Sequence, residues 1–251
     1  MKMIPRLGVN IDHVATVRNA RGEFYPEISR AAEIVFQAGA EQITIHLRED
    51  RRHIRDDDVT VVQEICKRHQ RLFNLEIGNN QEIVKIALAH NPDWICLVPE
   101  NRLERTTEGG LNLQDTKCFS NIKNVCDEFK SKTQTKISLF LEADLKTLEL
   151  AAMLPIDAVE IHTGAYAKNF LEKKSVTHDL ECFRKAEKLL TSKKIGFHAG
   201  HGLTLDSVGP LLEEKHFVEY NIGHSIIAES IFKGLGQVVM DYKSLFAKYT
   251  L

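Results

Sequence analysis

Short apolar runs alternate with stretches of helical periodicity along the whole chain. Eight runs predict β-strands, at residues 7–11, 42–46, 72–76, 94–98, 136–141, 158–161, 195–198 and 218–222. Most of them are short and nearly continuous in apolar character, which is typical of strands that are buried on both faces. Sequence with helical spacing lies between them, so the pattern predicts repeated strand–helix units.

Three helical faces are well marked by apolar residues spaced three and four apart. They consist of Ile28, Ala31, Ala32 and Val35; of Leu180, Phe183, Ala186 and Leu190; and of Ile227, Ile231, Leu235, Val238 and Tyr242. Pro26 precedes the first face and Gly39 follows it, as expected for the two ends of a helix. Thr177 is predicted to be the N-cap of the second helix. The third face predicts one continuous helix.

Eight strand–helix units at roughly 30-residue spacing fit the size of a (β/α)₈ barrel, and we predict this α/β fold with extra helical segments. An open, doubly wound sheet is the alternative, because periodicity does not reveal closure. No linker-like segment interrupts residues 1–251, so we predict a single catalytic domain. Residues 99–117 form the longest stretch without clear periodicity, and the segment 106–110 (TTEGG) within it is predicted to act as a lid.

Composition narrows the possible functions. The net charge of −2 argues against a protein that binds nucleic acid through overall basicity. No apolar run approaches the roughly 18 residues of a membrane span, and the N-terminal residues do not resemble a signal peptide. The five cysteines are scattered without a C-x-x-C pair, which favours reduced thiols in the cytoplasm over a structural zinc site.

Polar side chains lie at the predicted C-terminal end of every strand. In chain order they are Asn10, Asp12, His13, His46, Arg48, Glu76, Glu100, Glu142, Glu160, His162, His201, Asn221 and His224. In (β/α)₈ barrels these strand ends converge on the face where the active site lies. The sequence therefore predicts a catalytic site at this face.

Structural explanations compete for individual residues. Taken alone, His46 fits equally well a core histidine that bonds to the backbone. Glu76, Glu142 and Glu160 are harder to explain in this way, because a carboxylate in an apolar strand must be paired, protonated or open to a cavity. Structural ion pairing remains the alternative for these three. The acidic segment 56–58 is interpreted as a helix N-terminus rather than a metal site.

Basic and glycine-rich segments predict anion binding near the same strand ends. The segment from His46 to His53 holds two imidazoles and three guanidinium groups in eight residues. Two glycine-containing turns, at 200–202 and 223–225, precede helices after the seventh and eighth strands, where barrel phosphate sites often form. A ring of histidines resembles a metal hydrolase in outline. However, the first strand lacks H-x-H and the chain lacks H-E-x-x-H, so we predict no metal.

Eight segments together resemble the pyridoxine 5′-phosphate synthase family. They are NIDH at 10–13, NARG at 19–22, HLREDRRHI at 46–54, LVPE at 97–100, TTEGG at 106–110, EIHTG at 160–164, AGHG at 199–202 and NIGH at 221–224. The matches span nearly the whole chain in order, whereas 121–135 and 167–176 carry no matching motif. One departure is His198, where the family favours asparagine.

The resemblance implies a (β/α)₈ barrel that condenses 3-amino-2-oxopropyl phosphate with 1-deoxy-D-xylulose 5-phosphate. The products would be pyridoxine 5′-phosphate, inorganic phosphate and water, without a metal or organic cofactor. By motif, His46, Glu76 and His201 would transfer protons, and Glu160 would stabilise a transition state. The substrate-binding residues would be Asn10, Asp12, His13, Arg21, Arg48, His53, Thr106, Gly202, Gly223 and His224. The family also implies a homo-octamer, in which Arg21 could serve a neighbouring subunit's site.

Two other functions remain as alternatives. One is a barrel isomerase or aldolase acting on phosphosugars, although no predicted strand ends in the lysine that a Schiff-base aldolase requires. The other is a binding protein for phosphorylated ligands without catalytic activity. Acid–base residues at many strand ends argue against it, because binding alone does not need them.

Overall fold

Eight parallel strands close into a barrel in the computed structural model, which describes residues 4–100 and 109–249. The strands are Arg6–Asn10 (β1), Gln42–His46 (β2), Leu72–Ile77 (β3), Trp94–Leu97 (β4), Lys136–Leu141 (β5), Ala158–His162 (β6), Gly196–Gly200 (β7) and Glu219–Ile222 (β8). Each strand pairs with the next one in the chain, and β8 pairs with β1. The closure confirms the predicted barrel and excludes the open sheet.

The same residue ranges contain eleven helices, so several strands are followed by more than one. They are Asp12–Arg21 (α1), Ile28–Gln37 (α2), Asp56–His69 (α3), Gln81–His90 (α4), Thr116–Lys132 (α5), Leu145–Ala151 (α6), Gly164–Leu171 (α7), Thr177–Ser192 (α8), Leu205–Glu214 (α9), His224–Lys233 (α10) and Leu235–Phe246 (α11). The extra helices α1, α7 and α10 begin within two residues of a strand's C-terminal end. The predicted extra helical segments are thereby confirmed.

Apolar side chains fill the layer between strands and helices, whereas the barrel interior is largely polar. Residues such as Leu7, Val9 and Ile43 are fully buried in the large apolar core. Side chains alternate along a strand, and the opposite set includes the buried Gln42, Thr44, Asn74, Glu160, His198, Glu219 and Asn221. Barrels of this type are usually filled with branched apolar residues. The polar interior here leads directly to the C-terminal face.

Two helix predictions are corrected by the structure. The continuous C-terminal helix is wrong, because Gly234 has φ +84° and ψ 141° and separates α10 from α11. Such a backbone conformation ends a helix and is accessible mainly to glycine. Thr177 is the first residue of α8 rather than its N-cap, which is Val176. The acidic segment at 56–58 does begin α3, as predicted.

Helix length and composition also bear on membrane insertion. Within residues 4–100 and 109–249, none of the helices is both long enough and apolar enough to span a bilayer.

Candidate active site

A cavity of about 810 Å³ opens at the C-terminal face of the barrel. Twelve of the predicted site residues line it: Asn10, Asp12, His13, His46, Arg48, His53, Glu76, Glu160, His201, Gly202, Gly223 and His224. Arg21 is exposed at the end of α1 and is not among the lining residues. Thr106 and most of the predicted lid lie outside the described residues. The barrel thus brings together side chains from six of its strands or strand-end loops.

His46 lies between two glutamates. Its Nε2 is 3.2 Å from Oε1 of Glu100, and its Nδ1 is 3.8 Å from Oε2 of Glu76. The backbone N–H of His46 donates to Oδ1 of the buried Asp12 at 2.9 Å. Nε2 donates to the Glu100 carboxylate, so Nδ1 is the nitrogen that is left to exchange protons beside Glu76. This arrangement is that of a histidine base held by a carboxylate.

Glu100 was not selected as a site residue from the sequence, although it lies near the end of β4. Burial opposes its charge, but the hydrogen bond and charge of His46 outweigh this effect and lower the pKa of Glu100. Its carboxylate also accepts the backbone N–H groups of Gly78 (3.0 Å) and Glu49 (3.1 Å). These bonds fix the carboxylate and therefore the imidazole ring. The sequence signal was its position at a strand end.

Glu76 and Glu160 are two buried acids that line the cavity. Burial raises the pKa of Glu76 well above its ordinary value, and the charges of Glu160 and Asp12 add to the effect. Burial also raises the pKa of Glu160 to about 8, with a further contribution from the charge of Glu219. Burial therefore favours the protonated form of both carboxyl groups, whereas ordinary glutamates are ionised at neutral pH.

A second histidine–carboxylate pair lies beside His201. Nδ1 of His162 donates to Oε1 of Glu142 at 2.6 Å, and the His162 ring lies 4.9 Å from the His201 ring. Burial lowers the pKa of His201 to about 4, assisted by the positive charge of His162. His201 is thus neutral at physiological pH and able to accept a proton. Glu142 and His162 were noted from the sequence only as polar strand-end residues, and neither was assigned a role; Glu142 follows β5 and His162 ends β6.

Three histidines form a cluster at the entrance to the cavity. The ring of His13 lies 5.7 Å from that of His53 and 5.2 Å from that of His224. The Thr16 hydroxyl is 2.8 Å from Nδ1 of His53 and 3.3 Å from Nδ1 of His13. Burial lowers the pKa of His53 to about 4, and the charge of His13 adds to this. Burial lowers the pKa of His13 as well, and imidazole N–H groups of this kind suit contacts to phosphate oxygens.

The loop that carries His53 is held by a buried ion pair. Arg18 contacts both carboxylate oxygens of Asp58, at 2.7 and 2.9 Å, and donates to the carbonyl of His53 at 3.3 Å. Asn19 donates to the same carbonyl at 2.7 Å. These contacts keep the position of His53 independent of any ligand.

Both predicted glycine turns lie at the cavity. A Cβ on Gly202, whose φ is +78°, would lie 3.0 Å from Cα of Gly164, and one on Gly223 would lie 2.9 Å from Cβ of Asn10. Helix α10 begins immediately after Gly223, and its first residues line the cavity. The backbone N–H groups of a helix N-terminus favour an anion at this position.

In the described parts of the chain, His, Cys, Asp and Glu side chains form no group of three or more that could hold a metal ion.

A closed (β/α)₈ barrel whose cavity is lined by histidines and by buried acids with raised pKa values defines an enzyme of the acid–base class. The chain belongs to the family described as "Pyridoxal phosphate biosynthesis protein PdxJ", whose family model matches residues 7–248. This match confirms the resemblance that the sequence motifs indicated.

Curated relatives cover almost the same length. The "Pyridoxine 5'-phosphate synthase" of Pelagibacter ubique is 45% identical over 243 residues, covering 97% of this chain and 99% of that protein. The protein of the same name from Roseobacter denitrificans is 42% identical over 245 residues, covering 96% of this chain and 95% of that protein.

Solved structures with low sequence identity share the fold alone. Thiamine phosphate pyrophosphorylase from Pyrococcus furiosus superposes with a TM-score of 0.60 at 15% identity, covering 97% of this chain and 96% of that one. Phosphoribosylanthranilate isomerase from Thermotoga maritima gives 0.60 at 10% identity, covering 97% and 99%. Both likenesses support the barrel architecture.

Proposed function

We propose that this protein is a pyridoxine 5′-phosphate synthase that condenses 3-amino-2-oxopropyl phosphate with 1-deoxy-D-xylulose 5-phosphate. Pyridoxine 5′-phosphate, inorganic phosphate and water would be the products, formed within one catalytic domain. The observation that carries the proposal is the convergence of His46, Glu76, Glu160 and His201 on one cavity of about 810 Å³. A cavity of this size suits two small phosphorylated molecules.

The His46 side of the cavity fits the joining of an amine to a ketone. A base must free the amine, and an acid must protonate the oxygen that leaves as water. His46, held by Glu100, would be the base, and the protonated Glu76 would be the acid. Nδ1 of His46 lies 3.8 Å from Oε2 of Glu76. At this distance His46 could accept a proton from one substrate atom while Glu76 donates a proton to a neighbouring one.

The His201 side fits the later proton removals from carbon that close and aromatise the ring. His201 is neutral, because burial lowers its pKa to about 4, and it could therefore accept a proton. The carboxylate of Glu142, which accepts from His162 at 2.6 Å, would stabilise the charge that His201 gains. Groups on two sides of the cavity would reach atoms that a single residue could not face.

Two phosphate groups require two anion sites. One would be formed by Gly202, Gly223 and His224 with the N-terminus of α10. The other would be formed by Arg48, which is 3% exposed, and His53. Both groups of residues line the same cavity, so each phosphate would anchor one substrate near its reacting end.

Release of inorganic phosphate provides the decisive test. We expect phosphate and pyridoxine 5′-phosphate to appear only when both substrates are present, in equal amounts. An isomerase or aldolase would convert a single phosphosugar, and a binding protein would release nothing. Turnover of 1-deoxy-D-xylulose 5-phosphate alone, or binding of both substrates without product, would refute the proposal.

The Arg48→Ala substitution is expected to raise KM for a phosphorylated substrate by roughly 10- to 100-fold, with a smaller effect on kcat. The reason is that a charge-assisted hydrogen bond contributes about 1.5–3 kcal/mol. Steady-state kinetics with each substrate varied in turn would show which one is affected. Arg184→Ala is the control, since Arg184 lies on α8 and pairs with Glu214 at 2.7 Å. Unchanged KM values for both substrates would remove Arg48 from the anion site.

We also propose that Arg21 acts in a neighbouring subunit's site within a homo-octamer, because it is exposed and does not line its own cavity. Mixing the inactive variants Arg21→Ala and His46→Asn under conditions of subunit exchange should then restore part of the activity. Activity that remains at the level of the separate variants, or a monomer in sedimentation, would contradict this assignment.

A further inference from the structure

We propose that Asn221 is a positioning residue that presents Glu160 to the substrate as a neutral carboxylic acid with its proton on Oε1. The inference rests on the proposed function, in which Glu160 stabilises a transition state, and it specifies how. Glu160 would act as a hydrogen-bond donor to an oxygen that gains negative charge, rather than as an anion.

The orientation of the Asn221 amide is fixed by four contacts inside the barrel. Its Nδ2 donates to Oε2 of Glu160 at 2.7 Å and to Oε1 of Glu219 at 3.0 Å. Its Oδ1 accepts from Nε2 of Gln42 at 3.1 Å and from the Thr44 hydroxyl at 3.2 Å. A flipped amide would place its oxygen against two carboxyl groups and its nitrogen against the Gln42 donor. The amide can therefore only donate to Glu160.

A chain of donors supports this orientation. Nδ2 of Asn74 donates to the Thr44 hydroxyl at 3.2 Å, so the single hydroxyl hydrogen of Thr44 is free to reach Asn221. The hydrogen bonds then run in one direction, from Asn74 through Thr44 and Asn221 to Glu160. Bonds aligned in this way polarise and strengthen one another in a low-dielectric interior.

The carboxyl group of Glu160 has two oxygens in different surroundings. Oε2 accepts from Asn221, so the proton of the neutral acid lies on Oε1. Oε1 lies over Gly200, where an added Cβ would be only 1.9 Å away, and Glu160 lines the cavity. Oε1 is therefore the oxygen that would contact a ligand. Its O–H group would donate a hydrogen bond to that ligand.

The charges around Glu160 favour its neutral form. Burial opposes the charge of Glu219, but Arg6, which donates to its carboxylate at 2.9 and 2.7 Å, helps to lower the pKa of Glu219 below its ordinary value. Among the described residues, its other titratable neighbours include Glu76, Cys96 and His198, the register partner of Glu160 on β7, and burial lowers the pKa of His198. None of these adds a positive charge that would stabilise a Glu160 anion. Burial and the Glu219 charge accordingly raise the pKa of Glu160 to about 8.

Infrared difference spectroscopy of the enzyme without substrate tests the proposal directly. We expect the wild-type minus Glu160→Gln spectrum at pH 7 to contain the C=O stretching band of a protonated carboxyl group. The band should disappear as the pH rises through about 8. In Asn221→Leu it should persist to higher pH, because a bond that favours the anion is lost, and it should move to higher frequency, because its carbonyl oxygen loses a donor. A carboxylate band at pH 7, or a band unchanged in Asn221→Leu, would overturn the proposal.

Kinetics supply a second readout. Asn221→Leu should lower kcat by roughly 10-fold, the effect of one positioned hydrogen bond, and change KM little. Thr44→Val is the matched control, since it removes a contact to Asn221 but leaves the bond to Glu160, and its band should move much less than that of Asn221→Leu. If Asn221→Leu does not fold, the decrease of kcat at alkaline pH provides the test of the proposal. This decrease should occur through about pH 8 in the wild type and be absent in Glu160→Gln, and a decrease present in both would overturn the proposal.

The infrared measurement needs no turnover. A failure of the proposed synthase activity, seen as no phosphate release from both substrates, is therefore distinguishable from a failure of the Asn221 assignment.

Discussion

Replacing His46 with asparagine is expected to lower kcat by roughly 10²–10⁴-fold, the usual contribution of a positioned acid–base group. Asparagine keeps a polar side chain but cannot take up the proton that Nδ1 would accept beside Glu76. The buried backbone bond from residue 46 to Asp12, at 2.9 Å, does not depend on the side chain, so folding should be little disturbed. Steady-state and single-turnover kinetics would separate the chemical step from product release.

His178→Asn is the matched control for this experiment. His178 lies on α8 and its imidazole contacts Cys182 at 3.7 Å, on the outside of the barrel. The control should turn over like the wild type, and the same assay on Glu76→Gln should show a loss comparable to that of His46→Asn. A kcat for His46→Asn within threefold of the wild type, in a protein with the native circular dichroism spectrum, would remove His46 from the mechanism.

The strand ends carried most of the information about the site that the sequence contained. Because all eight strands are parallel, their C-terminal ends meet at one face, and any polar residue there must approach the others. This argument needs only the position of each strand, which short apolar runs reveal. It explains why twelve of the predicted residues line one cavity. The same argument does not predict which of these side chains contact one another.

Side-chain partners at this face depend on geometry that the sequence pattern does not contain. His46 and Glu76 are register partners on β2 and β3, and Glu100 reaches the same imidazole from beyond β4. The second pair, Glu142 with His162, joins the ends of β5 and β6. Which carboxylate meets which histidine depends on strand stagger and on the rotamers chosen in the loops.

The sequence pattern also did not reveal the break between α10 and α11 at Gly234. The apolar spacing continues at four-residue intervals across Gly234, so the pattern there is that of one helix. The glycine permits φ +84°, and the chain turns between α10 and α11. This turn lets α10 begin at the cavity while α11 packs against the barrel wall, with Val239 and Phe246 fully buried. An isolated glycine in a helical pattern is ambiguous, because it lowers helix stability by only about 1 kcal/mol.

The polar barrel interior relates stability to function. Buried polar groups without partners cost free energy, so Asn221, Gln42 and Glu219 must bond to one another if the barrel is to remain folded. The same bonds orient the Asn221 amide and therefore the hydrogen bond that Glu160 accepts. Packing and catalysis therefore constrain the same residues, and a change at the centre of the barrel should affect both.

Gly200→Ala is expected to destabilise the fold by about 1–3 kcal/mol and to lower kcat by roughly 10²-fold. A Cβ at this position would lie 1.9 Å from Oε1 and 2.7 Å from the carboxyl carbon of Glu160, so the carboxyl group must move. The movement would break its bond to Asn221 or withdraw its acidic oxygen from the cavity. Thermal unfolding and steady-state kinetics on the same preparation would measure both effects.

Gly236→Ala is the matched control, because a Cβ on Gly236, inside α11, would lie 3.4 Å from Cγ2 of Ile34 and meet no other atom within 4 Å outside its own helix backbone and chain neighbours. Alanine there should stabilise the fold by about 0.5–1 kcal/mol, since glycine loses more conformational freedom in a helix. The two variants add the same methyl group, so opposite shifts in Tm would isolate the contact with Glu160. Similar shifts in both, or a Gly200→Ala variant with wild-type kcat, would mean that the carboxyl group tolerates displacement and that its position does not control the reaction.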